Sequence, residues 1–224
     1  MKFQQHTLQA AIFDMDGTML DTEWLRFDVL KQASLEIIGV EFSLDYLMQC
    51  LGLNALNSEH LAQKFYGQDI PYQHIRQRAE QIELERILSQ GVPVKAGILE
   101  ILAYLQSENI LLAVATSSTR KIAEKYLKLA EIDHYFTLLV CGDEVIQGKP
   151  HPEIFNKACT LLNLNPQHCL MIEDSENGIT SAHLAGGVTI LIEDIKAPNQ
   201  TMLARADYYF ESMLDFYQAI IKSD

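Results

Sequence analysis

Five short apolar runs punctuate the chain: "AAIF" at 10–13, "LLAVA" at 111–115, "LLVC" at 138–141, "CLMI" at 169–172 and "VTILI" at 188–192. They are rich in Ala, Ile, Leu and Val, so they predict strands buried on both faces, as in a parallel sheet. Most are separated by segments with helical spacing. Ile98, Leu99, Ile101, Leu102 and Leu105 form one such face, Ile122, Tyr126, Leu127 and Leu129 a second, and Ile154, Phe155, Ala158, Leu161 and Leu162 a third. Strands alternating with helices predict an open α/β sheet with helices on both faces. A weaker strand is expected at 207–210 "DYYF", before a final amphipathic helix.

Residues 22 to 89 break the alternation and read as helical throughout. Trp24, Leu25, Phe27, Val29, Leu30, Ala33, Leu35, Ile37 and Ile38 form a broad apolar face that stops at Gly39. "SLDYLMQCLG" and "SEHLAQKFYG" each open on a serine suited to N-capping and close on glycine. Pro71 can start a fourth helix that ends near Gly91. The expected organisation is a core of residues 1–20 and 92–224, with a four-helix unit inserted at 21–91.

A chain of 224 residues can bury one sizeable core with a smaller companion, and 48% hydrophobic content supports a folded globular protein. No apolar stretch approaches the roughly 20 residues that span a bilayer, and "MKFQQHTLQ" lacks the apolar centre of a secretory signal. No membrane association is expected, and the cytoplasm is the expected location. Cys50, Cys141, Cys159 and Cys169 stand singly among apolar neighbours, which predicts buried reduced thiols. The formal net charge of −13 argues against a nucleic-acid partner. It also means that a phosphorylated substrate must be received by local positive charge, from a metal ion or placed lysines. No HxxH, HExxH, GxSxG, Walker or GxGxxG pattern is present, which argues against zinc and three common α/β enzyme types.

The four most unusual polar stretches each follow an apolar run: "DMDGT", "TSS", "GDEVIQGKP" and "EDSENG". In an open α/β sheet the ligand crevice lies outside the carboxyl ends of the strands, so all four are expected to converge there. Asp14 and Asp16 alone fit a solvated turn, since Asp and Gly are ordinary turn formers. A calcium loop counted from Asp14 would need an acid where Leu25 stands. The chemical reading divides the labour between the two carboxylates. Asp14 holds a divalent metal with one oxygen and attacks phosphorus with the other, while Asp16 protonates the leaving oxygen and later takes a proton from water.

The other stretches also carry two readings each. Asp174 or Ser175 can N-cap the helix "NGITSAHLA", and Glu173 with Asp174 can complete an all-oxygen site of the type magnesium prefers. Thr116 and Ser117 can cap a helix, or the Thr116 hydroxyl and the amide that follows can hold phosphoryl oxygens. Lys149 can be merely solvated; stiffened between Gly148 and Pro150, it can instead neutralise Asp14 and a phosphate. His151 reads as a helix-start residue, with contact to substrate as the alternative.

These four stretches resemble, in order, the motifs of the haloacid dehalogenase (HAD) superfamily: "FDMDGT", "ATSS", "GKPHPEIF" and "IEDSENGI". The helical insert resembles the cap of the branch that includes phosphoglycolate phosphatase and β-phosphoglucomutase. The resemblance implies a Rossmann-like core with an inserted α-helical cap, and a Mg2+-dependent phosphotransferase. It implies Asp14 as nucleophile, Asp16 as acid and base, Thr116 with Ser117 at the phosphate, and Lys149 as charge support. The metal would be held by Asp14, the Asp16 backbone carbonyl and Asp174, with Glu173 direct or through water. Dehalogenases of the superfamily usually lack the second aspartate, so phosphoryl transfer is expected.

The β-phosphoglucomutase pattern has a His in the first cap helix and an Arg after a later glycine; here those places hold Arg26 and, beyond Gly52, Asn54 and Ala55. A phosphatase of a small phosphorylated metabolite, such as a sugar phosphate, is therefore expected, with a hexose phosphate mutase or a non-catalytic binding protein as alternatives. Cap closure would exclude water, with hinges near 20–24 and 89–95. Leu20, Thr22, Arg26 and Asn54 are candidates to shape the leaving-group pocket, although core packing also accounts for Leu20 and Trp24. A monomer or weak homodimer is expected.

Overall fold

A computed structural model describes residues 1–51 and 55–222. Gly52 and Asn54, two of the residues weighed against the mutase pattern, lie outside the described residues. Among the described residues the chain divides into two compact units, one of residues 1–21 and 92–224 and one of residues 22–91.

The larger unit carries six parallel strands in the order β5-β4-β3-β6-β7-β8. They are β3 (Ala10–Phe13), β4 (Leu111–Thr116), β5 (Leu138–Cys141), β6 (Cys169–Glu173), β7 (Val188–Ile192) and β8 (Tyr208–Phe210). All six coincide with runs legible in the sequence. The chain first builds outward from β3 through β4 to β5, then returns to the other side of β3 and continues through β6 to β8. The central β3 is thus the point where strand order reverses, the place at which open α/β sheets form their ligand crevice. Register is fixed on both sides, with Phe13 level with Val114 on one neighbour and with Ile172 on the other.

Alternate strand residues face opposite ways, and both sides of the central strands are buried. Ala10, Ile12, Ala113, Ala115 and Val140 pack against Ile154, Phe155 and Ala158 of α7 (Glu153–Leu162) and Ala182 of α8 (Glu176–Ala185). Ala11, Phe13, Leu112 and Val114 are buried on the other side, where α5 (Ile98–Ser107) lies against β4. The helices α6 (Arg120–Leu129) and α9 (Gln200–Arg205) complete the sheet connections, and α10 (Met213–Ile221) follows the last strand. The small α9 and the antiparallel hairpin of β1 (Lys2–Phe3) and β2 (His6–Thr7) have no counterpart in the sequence reading. Cys141, Cys159 and Cys169 are buried free thiols, as expected, whereas Cys50 is only half-buried. The Cys159 and Cys169 sulfurs lie 3.9 Å apart in the core.

The smaller unit contains α1 (Thr22–Ile38), α2 (Leu44–Cys50), α3 (Ala55–Tyr66) and α4 (Tyr72–Gln90). Ser43 caps α2 by accepting the Tyr46 N–H. The matching expectation for Ser58 is corrected: α3 begins at Ala55, and Ser58 lies inside it with its carbonyl accepting the Tyr46 hydroxyl at 3.2 Å. The broad face read on α1 is also narrower than expected. Phe27, Val29 and Ala33 are buried, but Trp24, Leu35 and Ile37 are exposed, Trp24 by 44%. Trp24 packs edge-on against Phe27 instead of entering the core. Leu20, of the larger unit, is fully buried.

Candidate active site

The site begins where β3 stops. "AAIF" is fully buried, and the next residue, Asp14, keeps one more sheet-like bond from its N–H to the Ile172 carbonyl at 2.9 Å. Its side chain is thereby delivered to the end of β3, between β4 and β6. The chain then turns back at once, with the N–H groups of Met19 and Leu20 both donating to the Met15 carbonyl at 2.9 Å. Gly17 makes this turn possible for two reasons. Its φ of +82° is in the left-handed region, and a Cβ there would lie 2.5 Å from Asp174 Oδ2.

The end of β6 supplies Glu173 and Asp174. Thr18 Oγ1 donates to Asp174 Oδ1 at 2.6 Å, so the β3 turn and the β6 end are tied together. Ser175, not Asp174, N-caps α8 by accepting the Gly178 N–H at 3.0 Å. Glu173 is completely buried. Its carboxylate lies so near the first turn of α8 that a Cβ at Gly178 would fall 1.8 Å from Oε2.

Lys149 enters from the loop before α7, and its side chain is only 4% exposed. Its ammonium donates to Asp14 Oδ1, to Glu173 Oε1 at 2.5 Å and to the Ala115 carbonyl at 2.8 Å. The loop is held by Glu153, whose carboxylate accepts the N–H groups of Ile146 at 2.8 Å and Gln147 at 2.9 Å. These bonds pull the Glu153 carboxyl below its ordinary range. His151 starts the same segment, its Nδ1 accepting the Glu153 N–H and its carbonyl the Ser181 hydroxyl.

Thr116 is the last residue of β4 and is buried, which corrects its reading as a helix cap. Ser117 follows it, exposed, three residues ahead of α6. The N-cap position of α6 is Thr119. Thr116 Oγ1 accepts the Ser118 N–H at 3.0 Å, and the Ser118 hydroxyl donates to Asp16 Oδ2 at 2.9 Å. In the sequence, nothing beyond the second serine of "TSS" signals Ser118.

Asp14, Glu173 and Asp174 each offer a carboxylate oxygen, and these atoms lie within 4.8 Å of one another. The Asp16 carboxylate is outside that triad, turned to Ser118. Burial pushes Asp14 up to about 8; Lys149 opposes the shift and Glu173 adds to it. Burial likewise raises Asp174 well above the carboxylate range, reinforced by Asp14 and Glu173 and opposed by the Thr18 hydroxyl. Burial alone would depress the Lys149 ammonium, but the two carboxylates outweigh it and hold it above the ordinary lysine value. Lys149 pairs with two of these carboxylates, Asp14 and Glu173, while Asp174 lies beside them with the Thr18 hydroxyl as its partner, so the cluster carries an excess of negative charge when all three are ionised. Such an excess is costly in a buried site. The donor set therefore fits a divalent cation bound by oxygen, and magnesium is such an ion.

Comparison with known proteins identifies the family. Residues 11–192 match the haloacid dehalogenase-like hydrolase family. A phosphorylated-carbohydrate phosphatase of Thermotoga maritima is 30% identical over 85% of this chain and 89% of its own. The β-phosphoglucomutase of Bacillus subtilis is also 30% identical, over 80% of each chain. A solved Thermotoga maritima structure, provisionally named a β-phosphoglucomutase, superposes with a TM-score of 0.82 at 26% identity, covering 96% of this chain and 99% of that one. The chain belongs to the haloacid dehalogenase-like hydrolase family. It is an enzyme of the phosphomonoester-hydrolase class. Among the described residues no helix is long and apolar enough to cross a membrane.

Proposed function

We propose that this chain is a magnesium-dependent phosphatase of a small phosphorylated carbohydrate, acting through an aspartyl phosphate on Asp14. The observation that carries the reading is the clustering of Asp14, Glu173 and Asp174 at the sheet's reversal point, with the buried Lys149 ammonium paired to Asp14 and Glu173. The similarity to a phosphorylated-carbohydrate phosphatase supports the substrate class.

Asp14, Glu173 and Asp174 would hold the ion, with the Asp16 carbonyl as a further donor. When bound, magnesium supplies positive charge that keeps Asp14 ionised near neutral pH and draws the phosphoryl group toward it. Asp14 forms a bond to phosphorus as the bond from phosphorus to the sugar oxygen breaks. Asp16 gives that oxygen its proton, and the alcohol leaves. Water then attacks phosphorus, passing a proton to Asp16, and inorganic phosphate departs with the Asp14 carboxylate restored. Throughout, Lys149 holds Asp14 in place and offsets charge on the phosphoryl oxygens, while the Thr116 hydroxyl and the Ser117 amide receive those oxygens.

The test is phosphate release from a panel of sugar and polyol phosphates, with and without magnesium. Turnover is expected only with magnesium, and it should vanish in Asp14→Asn. Equal turnover in that variant overturns the reading. Isomerisation of a hexose 1-phosphate with little free phosphate would establish the mutase alternative instead.

A further inference from the structure

The sequence "TSSTR" presents four hydroxyl residues directly before a helix, where capping is their ordinary use. The structure does not use them that way. Thr119 occupies the N-cap position of α6 with no side-chain capping bond. The first free amide of the helix, from Arg120, is instead satisfied by Asp143 Oδ1 at 3.0 Å. An acceptor from the β5 end has taken over the capping task. The Ser118 hydroxyl is thereby available for another partner, and that partner is Asp16, 102 residues earlier in the chain.

Ser118 is itself held firmly. Its N–H donates to Thr116 Oγ1 at 3.0 Å, and its carbonyl accepts the Gly142 N–H at 2.9 Å. Both of its backbone polar groups are thus fixed, one to the end of β4 and one to the segment after β5. Its hydroxyl is correspondingly fixed in space. A carboxyl group rotates easily about its last torsion, and a rigid donor on one oxygen removes that freedom.

We infer that Ser118 is a positioning residue for the acid and base Asp16. The inference rests on the phosphatase reading above. By donating to Oδ2, the hydroxyl confines the transferable proton to Oδ1 and aims that oxygen at the leaving group. The role differs from phosphate binding: Ser118 acts through Asp16 and contributes to proton transfer, not to substrate affinity. Removing the donor leaves the Asp16 carboxyl chemically intact but without the hydroxyl that fixes its Oδ2.

Single-turnover and steady-state kinetics on Ser118→Ala and Ser118→Thr, with magnesium, test this. With a sugar phosphate, Ser118→Ala should lower kcat about tenfold, a fraction of the 100-fold or more that a general acid contributes, and leave KM within about twofold. Ser118→Thr, which keeps the hydroxyl, should restore most of the rate. The rate of alcohol release in a single turnover should fall much less with p-nitrophenyl phosphate, whose leaving group needs no proton. Two results would overturn the inference: a raised KM at unchanged kcat, which marks a substrate contact, or an equal loss on both substrates that threonine does not rescue. Absence of turnover in the unmodified enzyme on both substrates would instead count against the phosphatase reading itself.

Discussion

Glu173 and Gly178 occupy adjoining space that no side chain could share, because a Cβ on Gly178 would lie 1.8 Å from Glu173 Oε2. The glycine lets a buried carboxylate settle into the first turn of α8, near the positive end of the helix. Gly178→Ala should therefore displace Glu173 from Lys149 even though alanine is the better helix former. Overpacking of this kind costs about 1–3 kcal/mol. A lowered thermal midpoint with activity reduced at least tenfold is expected. An unchanged midpoint and unchanged activity would show that the carboxylate position has no such constraint.

Lys149 is the ammonium that faces both Asp14 and Glu173. Its replacement by methionine preserves the apolar stem but removes the ammonium, which also lies 5.3 Å from the Phe155 ring centroid, and so leaves the carboxylates uncompensated. Breaking a buried ion pair from one side typically costs about 3–5 kcal/mol. Lys149→Met should be strongly destabilised without magnesium, and part of that loss should be recovered as magnesium is added. Turnover should remain lost in either case. Denaturant unfolding at several magnesium concentrations reads the stability; recovery of turnover would argue against a direct role for the lysine.

The sheet was legible because strands covered on both faces must be largely apolar, and short runs such as "AAIF", "LLAVA" and "VTILI" have few other uses. Asp14, Glu173 and Thr116 were legible for a related reason: each is the first polar residue met as a buried strand reaches its carboxyl end. Local signals failed where a distant contact decides the outcome. Ser58 resembles a cap, yet it sits within α3 and serves Tyr46 through its carbonyl. Ser118 also resembles a cap, and only the approach of Asp143 and Asp16 reveals its other partner. Strands of two residues, such as β1 and β2, are too short to show any periodicity.

Asp14 and Asp174 together predict how stability depends on pH and metal. Both carboxyls are raised in the folded state, Asp14 to about 8, chiefly by burial. An unfolded aspartate ionises near 3.9. Between those values the metal-free folded protein binds more protons than the unfolded chain, so its stability falls as pH rises. The contribution is complete below about 4 and is lost on passing through about 8. Magnesium should reverse the preference, because it favours the ionised carboxylates. The increase in thermal midpoint on adding magnesium is thus expected to be greater at pH 8 than at pH 5.5; an equal increase at both would contradict the proposed site.

Arg120 and Glu144 provide a contrasting case with the opposite sign. Nη2 of Arg120 donates to Glu144 Oε2 at 3.0 Å and Nε to Oε1, while the Cys141 N–H also donates to Oε2 at 3.1 Å. Arg120, foremost, holds the Glu144 carboxyl below its ordinary value. Here the unfolded chain takes up its proton first as pH falls. The stabilisation is present above about 4.3, the value of an unfolded glutamate, and is lost as pH drops through the lower folded value. The Glu144 side chain is 26% exposed, so solvent screening limits the effect to about 1 kcal/mol. Glu144→Gln should lower the thermal midpoint at pH 7 by a few degrees and have a smaller effect at pH 3.5. Because the same pair anchors the segment after β5, whose Gly142 holds Ser118, the variant should also weaken catalysis modestly. A loss of stability that is equal at the two pH values would show that packing, not charge, joins this pair.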